Sequence, residues 1–564
     1  MWRAVRRQTA RATLAVAQIV RRVVGRLPPY GVLKLTLSGD LPEQETEPRL
    51  FGFLRRSSDD YTSLLSMLRW ARDDAQIRGV LIRCEDLRVG WAKAQGLHRA
   101  VLALRHAGKQ VWIHLTHAGV REYLIASAAD RIVLTPAGTL DVTGLSSEVT
   151  FFFGALEKLG IEAEVIQMGR YKSMGETFTR RDMSAAHREM IEALVDDLYG
   201  QLVDAIAAGR QLTSESVRGL LDRGPFLGHD AVTQRLVDTL AYEDQAEADL
   251  RRACDGAMVI EFSDYRVRRG REMRAALLRS RRDSIALVHL SGTVKSGESV
   301  AGPEGASAFG AVTIARELKT LRDRSDIKAV VLRVDSPGGS GLASDLIWRE
   351  VARTREQKPV VVSFGDVAAS GGYYIGVAGA PLMCEAGTLT GSIGVVAGKA
   401  NLRGLYDRLG ITKEIISRGQ HAAMHSAYVP LSDDDRTLLS AQAGVFYRDF
   451  VAKVASGRQL SEAAVDEIAQ GRVWTGRQAW ARGLVDRLGG VEDALNEAKR
   501  LIGVATDEIV AVERFPKPRR LWKLSLDLNR PQAQLGEVLN RVATLRFLGS
   551  ERLWAILPLQ IRFF

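Results

Sequence analysis

The apolar positions of this 564-residue chain fall into short unbroken runs separated by stretches of helical spacing, and the runs come in matched pairs. An opening strand is predicted at Val32 to Leu37 and again at Ile285 to Leu290. Val80-Leu81-Ile82 is answered by Val330-Val331-Leu332, Val111-Trp112-Ile113 by Val360-Val361-Val362, and Ile132-Val133-Leu134 by Leu382-Met383-Cys384. Runs that are apolar at every position, not at alternate ones, belong to strands buried on both faces. Alternating with helices, they predict an α/β fold with largely parallel sheets. Asp433 to Ala455 and Ser461 to Gln470 read as helices with polar, cap-forming starts, and Tyr373 to Ala378 reads as a short apolar helix.

The pairing extends to individual residues. Tyr199, Gly209-Arg210-Gln211-Leu212 and Leu236-Val237-Asp238 recur 248 positions later as Tyr447, Gly457-Arg458-Gln459-Leu460 and Leu484-Val485-Asp486. Upstream the offset drifts slightly, so that Arg83 matches Arg333 and Gly169 matches Gly419. The chain is a tandem duplication. Its expected organisation is a basic N-terminal segment (1–29), a first domain (30–264), an Arg-rich linker (265–283), a second domain (284–503) and a C-terminal tail (504–564).

Composition adds less. With 46% apolar and 26% charged residues the chain is globular, not disordered. The net charge of +11 is uneven, because no acidic residue precedes Asp40 while Arg3, Arg6, Arg7 and Arg11 open the chain. Residues 1–29 are either a solvated tail or a surface that touches a membrane. Their apolar stretch, Thr13 to Val20, is far shorter than the roughly 20 residues that span a bilayer. The tail, with Leu553-Trp554-Ala555-Ile556-Leu557, is either a second weak anchor or a helix packed on its own domain. The linker is expected to be solvated or to act as a binding patch. Cys84, Cys254 and Cys384 are too scattered for a metal site, and no phosphate-binding loop is present, so no metal or cofactor is expected. No aromatic-interleaved basic module is present, so nucleic acid is not an expected partner.

The two copies differ where chemistry is concerned. Ser370, in Ala368-Ala369-Ser370-Gly371-Gly372-Tyr373-Tyr374, faces Gly119 of the first copy. Lys172, in Gly169-Arg170-Tyr171-Lys172-Ser173-Met174, faces Ala422 of the second. A serine between small residues, after a strand and before a helix, is placed as a nucleophile beside free backbone N–H groups, although such a turn also serves plain architecture. Gly371 on the same turn, and Gly338 or Gly339 on the preceding loop, can supply the two donors of an oxyanion hole. The base is either a histidine (His289, His421 or His425) or a neutral lysine. Bringing a lysine from ~10.4 to ~7–8 requires roughly 3–5 kcal/mol of differential stabilisation by desolvation or positive charge.

The motifs Arg333-Val334-Asp335-Ser336-Pro337-Gly338-Gly339, Ala368 to Ile375 and Thr388-Leu389-Thr390-Gly391-Ser392-Ile393-Gly394 closely resemble those of the S49 family of serine peptidases, the signal peptide peptidase A type. The first copy, with Gly169 to Phe178, looks like the amino-terminal half of the duplicated long form. The resemblance implies tandem crotonase/ClpP-like domains and a serine endopeptidase with Ser370 as nucleophile and Lys172 as general base. It further implies Gly338, Gly339 and Gly371 in the oxyanion hole and Ser392 orienting the lysine. It also implies extended apolar peptides such as signal peptides or membrane-protein fragments as substrates, a bowl-shaped homotetramer, and association with a bacterial-type inner membrane. Short members carry their lysine after a strand corresponding to Glu414 to Ser417, where this chain has Gln420, His421 and Ala422. Long members begin with a transmembrane anchor that residues 1–29 do not supply. Asp335 replaces an amide found in many relatives, a variation to which no functional change is attached. Two other readings compete: a crotonase-like acyl-CoA enzyme, which needs a carboxylate beside the oxyanion amides, and an inactive scaffold that binds membrane proteins.

Overall fold

The computed structural model describes residues 30–44, 60–277, 283–300, 308–517, 554–556 and 562–563. The expectations for residues 1–29 and for most of the tail lie outside the described residues. Each copy builds a sheet on one plan. In the first, Tyr30–Asp40, Gly79–Arg88, Gln110–Gly119 and Arg131–Asp141 lie parallel and in chain order. Met258–Glu261 adds in parallel beside the opening strand, and Phe226–Leu227 pairs antiparallel at the far edge. The second copy repeats this with Ser284–Ser291, Ile327–Ser336, Val360–Ala369 and Leu389–Gly391, flanked by Ala511–Phe515 and Val473–Thr475. The apolar runs are the centres of these strands, and Val80, Leu81, Ile82, Val330, Val331 and Leu332 are all fully buried. The structure is thus the duplicated, mostly parallel α/β fold that the patterning predicts.

The second copy keeps a core of its own around Val288, Leu332, Phe364 and Phe450, but the copies also share one. The largest apolar cluster joins Leu33, Ile82 and Leu97 of the first copy to Ile285, Val331, Val361 and Leu495 of the second. Polar groups also cross the seam. Arg333 donates two hydrogen bonds to Glu43, each 2.9 Å, and both side chains are buried. Burial alone would raise the Glu43 carboxyl, but Arg333 and Lys93 pull it down to about 2.

A further sheet is built from both copies. Glu162–Met168 runs antiparallel to Val395–Asn401, in register from Met168 opposite Val395 to Glu162 opposite Asn401. Buried Glu164 fixes this ladder: it accepts from the Leu431 backbone N–H at 2.9 and 3.1 Å and from Arg436 at 2.6 Å. The strand expected at Glu414 to Ser417 is absent, and residues 411–418 have no regular structure. A strand needs a partner edge. Glu162–Met168 has one in Val395–Asn401, but the equivalent edge in the first copy, Ser147–Glu148, is two residues long and pairs with Arg562–Phe563.

Part of the Arg-rich stretch is helical. Phe262–Leu277 is a helix, anchored by buried Tyr265, whose hydroxyl donates to Asp74 at 3.1 Å. Its arginines find acids, as in Arg269 with Glu272 at 2.7 Å. Among the described residues no helix is long and apolar enough to cross a membrane.

Arg333→Ala would leave Glu43 charged and unpaired in the core. Breaking a buried pair from one side is expected to cost about 3–5 kcal/mol, which a denaturant titration checks.

Candidate active site

The strand Val360–Ala369 ends at Ser370, which adopts φ 54° and ψ −114° before the helix Gly371–Gly376 begins. Positive φ is costly for a residue with a Cβ and persists only where the surroundings impose it. Here they do: the Ser370 N–H donates to the Gly391 carbonyl at 2.8 Å, and a Cβ at Gly372 would lie 2.8 Å from the Ser336 carbonyl oxygen. The result is a hydroxyl presented at the end of a parallel strand, where such folds place their ligands.

Lys172 arrives from the other copy. It follows the inter-copy strand Glu162–Met168 by four residues, and the turn between them is clamped by Gln470-Gly471-Arg472 of the second copy. The Tyr171 N–H donates to the Gln470 carbonyl at 2.7 Å, and the Ser392 N–H to the Arg472 carbonyl at 2.7 Å. Gly471, at φ +76°, lies so close that a Cβ there would sit 2.5 Å from the Lys172 Cβ. One short turn therefore holds both the lysine backbone and the Ser392 backbone. This clamp was not among the residues singled out from sequence, because Gln470 and Gly471 carry no distinctive chemistry.

The Lys172 Nζ lies 2.7 Å from Ser370 Oγ, 2.9 Å from Ser392 Oγ and 2.9 Å from the Ser392 carbonyl oxygen. All three side chains are fully buried. Desolvation pushes the amine well below the ordinary ammonium range, and no other cause contributes. A neutral amine has two N–H donors and one lone pair. In that state, donors directed at the two Ser392 oxygens would leave the lone pair for the Ser370 hydroxyl proton.

The oxyanion candidates are placed less uniformly. Gly371 opens the helix Gly371–Gly376, so its N–H belongs to the first turn, where no helical carbonyl precedes it. Gly338 and Gly339 lie in the short strand Gly338–Ser340, where the Gly338 N–H donates to Ser336 Oγ at 3.1 Å. A Cβ at Gly339 would fall 2.0 Å from the Val294 carbonyl oxygen, so only glycine fits. Gly338–Ser340 pairs antiparallel with Trp554–Ile556, which also meets Val396. A stretch of extended backbone from the tail thus lies along the oxyanion loop.

The histidines are elsewhere. His421 hydrogen-bonds Asp435 at 2.6 Å, a carboxylate partner that sequence spacing did not reveal, in the capping box of the helix Asp433–Arg458. His289 is buried in the seam, and desolvation pushes it down to about 4. Among the described residues no histidine hydrogen-bonds Ser370, and no group of three or more His, Cys, Asp or Glu side chains could hold a metal ion. Cys84, Cys254 and Cys384 are free and buried.

Comparison with known proteins gives the arrangement a context. The model of peptidase family S49 matches residues 103–255 and 352–505, one segment in each copy. The chain is 31% identical over 517 residues to the chloroplastic serine protease SPPA of Arabidopsis thaliana, covering 91% of this chain and 73% of that one. It is 31% identical to Protease 4 of Haemophilus influenzae (78% and 73% covered) and 30% identical to Protease 4 of Salmonella typhi (84% and 78%). Among solved structures, a ClpP1 mutant from Listeria monocytogenes matches 37% of this chain at 13% identity and a TM-score of 0.24, a likeness too slight to build on.

A buried neutral amine carries a stability signature. The unfolded chain keeps a proton at this lysine up to ~10.4 while the folded chain gives it up at a lower pH, so the lysine makes folding more favourable as pH rises from its depressed value toward that limit. Lys172→Met is expected to abolish this rise and not to lower the melting temperature at neutral pH. Melting curves of both proteins across pH check it, and parallel curves would contradict it.

Proposed function

The chain belongs to peptidase family S49 and is a serine peptidase, and on that footing we propose that it is an endopeptidase working through a Ser370/Lys172 dyad on extended, apolar peptides. The observation that carries this reading is the 2.7 Å approach of a desolvated amine to a serine hydroxyl at a strained turn. Neutral Lys172 takes the Ser370 proton as Oγ attacks the peptide carbonyl carbon, and the carbonyl electron pair moves to its oxygen. Backbone N–H groups of the glycine turns stabilise that oxyanion, with Gly371 best placed and the loop of Gly338 and Gly339 beside it. As the intermediate collapses, the lysine ammonium gives its proton to the leaving amine. Water then repeats the sequence against the acyl-enzyme and returns Ser370 with its proton. Ser392 orients the amine throughout.

The tail strand supports the substrate class. Trp554–Ile556 hydrogen-bonds as an added strand along Gly338–Ser340, so this edge can pair with extended backbone. Cleaved signal peptides and membrane-protein fragments present such backbone, and the reading places the enzyme at a bacterial-type inner membrane. The scaffold alternative would gain ground if the lysine lay far from the serine, and it lies 2.7 Å away. The acyl-CoA alternative requires a carboxylate at the oxyanion amides; the nearby Asp335 carboxylate instead accepts from the Val367 N–H and lies 3.4 Å from Lys93.

The reading includes a homotetramer, for which the duplication suggests a contact. Glu162–Met168 pairs with Val395–Asn401 inside one chain, whereas the equivalent segment of the second copy, residues 411–418, forms no strand and is proposed to meet a neighbouring copy. Ile416 is 87% exposed and Ile415 43%. A head-to-tail contact of this kind, repeated about an axis, closes a ring.

Ser370→Ala and Lys172→Ala are each expected to abolish cleavage of an unfolded apolar peptide, and turnover by the lysine variant overturns the dyad. The rate of the parent enzyme should rise with pH through the depressed lysine pKa, since only the neutral amine accepts a proton; a rate undiminished well below about pH 6 points to another base. Ile416→Asp is expected to convert the tetramer to smaller species in light scattering, and an unaltered mass would refute the proposed contact.

A further inference from the structure

The loops that carry the site are joined upstream of it by an irregularity in the sheet. Ile327–Ser336 and Val360–Ala369 pair regularly up to Val334 opposite Phe364, then resume at Ser336 opposite Ala368. One residue, Asp335, thus faces three, Gly365 to Val367. The Asp335 carboxylate fills the gap by accepting from the Val367 N–H at 3.1 Å, and a Cβ at Gly365 would come within 2.7 Å of Asp335. Asp335 stands three residues before Gly338, and Val367 three before Ser370. Their hydrogen bond therefore ties the oxyanion loop to the nucleophile turn at equal distance from both.

The bulge gathers negative charge in a buried place, and the first copy neutralises it. Lys93 Nζ lies 3.4 Å from Asp335, 3.5 Å from Asp366 and 3.5 Å from Glu43, with its side chain 10% exposed. The Lys93 backbone N–H also donates to Asp366 at 2.9 Å. The helix Trp91–His106 has Gly90 at its N-cap with no side-chain cap of its own, and a Cβ there would overlap the Asp366 carboxylate. Asp366 of the second copy caps a helix of the first, and the lysine of that helix returns a positive charge to the bulge.

We infer that Lys93 is a positioning residue for the catalytic centre: its ammonium holds the Asp335–Asp366 bulge and so sets the spacing between the oxyanion loop and Ser370. The inference rests on the Ser370/Lys172 reading. It also gives a role to Asp335, because an acid here needs the opposing charge of Lys93 where an amide would not.

The test compares Lys93→Met, Asp335→Asn and the double variant in the full chain. Asparagine keeps an oxygen for the Val367 N–H and removes one negative charge. Lys93→Met is expected to lower kcat by about 10- to 100-fold with KM changed by less than about twofold, the pattern of a misplaced transition-state contact. Asp335→Asn alone should stay within about threefold of the parent, and added to Lys93→Met it should restore kcat to within about threefold. An unaltered kcat in Lys93→Met, or a folded double variant no faster than Lys93→Met, overturns the inference. Should Lys93→Met fail to fold, the double variant decides against Asp335→Asn: equal kcat supports the inference and a tenfold deficit overturns it. Labelling of the parent enzyme by a serine-directed fluorophosphonate separates the two levels. Absence of label on Ser370 defeats the dyad and this inference with it, whereas a labelled parent with an unimpaired Lys93→Met defeats the positioning role alone.

Discussion

An amine sealed from water, with serine oxygens for company, is the constraint on which this molecule turns. Desolvation of an ammonium without a counter-charge is costly, so burial favours loss of its proton. That cost is borne by the seam between the two copies. Lys172 is buried because the ladder of Glu162–Met168 with Val395–Asn401 brings it across, and because the Gly471 turn closes over its backbone. A lysine on a single domain's surface would remain charged and inert as a base.

The duplication explains how such a seam is divided. Each copy retains the same sheet, and each has lost what the other keeps: Gly119 stands where the second copy has Ser370, and Ala422 where the first has Lys172. The remaining inter-copy contacts follow the same division of labour. Glu43 with Arg333, Glu164 with Arg436, and Lys93 with Asp335 and Asp366 all join residues of different copies. The site is thus supported by charge pairs that neither half has alone, and its geometry depends on the halves remaining in register.

Much of this was legible in the sequence for identifiable reasons. Val80-Leu81-Ile82 and Val330-Val331-Leu332 announce doubly buried strands because every side chain is apolar, and the repeat aligns them. Ser370 and Lys172 stood out because complementary loss between repeats is visible without coordinates, and the structure brings those two side chains together. What was not legible depends on distant partners. Nothing local marks Gln470-Gly471 as a clamp, Glu43 as the partner of Arg333, or Lys93 as the neighbour of three acids. Nothing local shows that the Arg-rich stretch continues a helix held by buried Tyr265, or that the family strand corresponding to Glu414 to Ser417 is not formed here. Asp335 looked like a minor variation because its meaning lies in Lys93, more than two hundred residues away.

The central claim is that the Lys172 amine is uncharged in the folded protein at neutral pH. The most direct measurement is the titration of its side-chain carbons by NMR in protein labelled with ¹³C-lysine, the resonance being assigned by its loss in Lys172→Met. The account predicts a resonance that titrates well below the other lysines, or that is already in its neutral position at pH 7. A Lys172 resonance that titrates with the surface lysines near ~10.4 would contradict it.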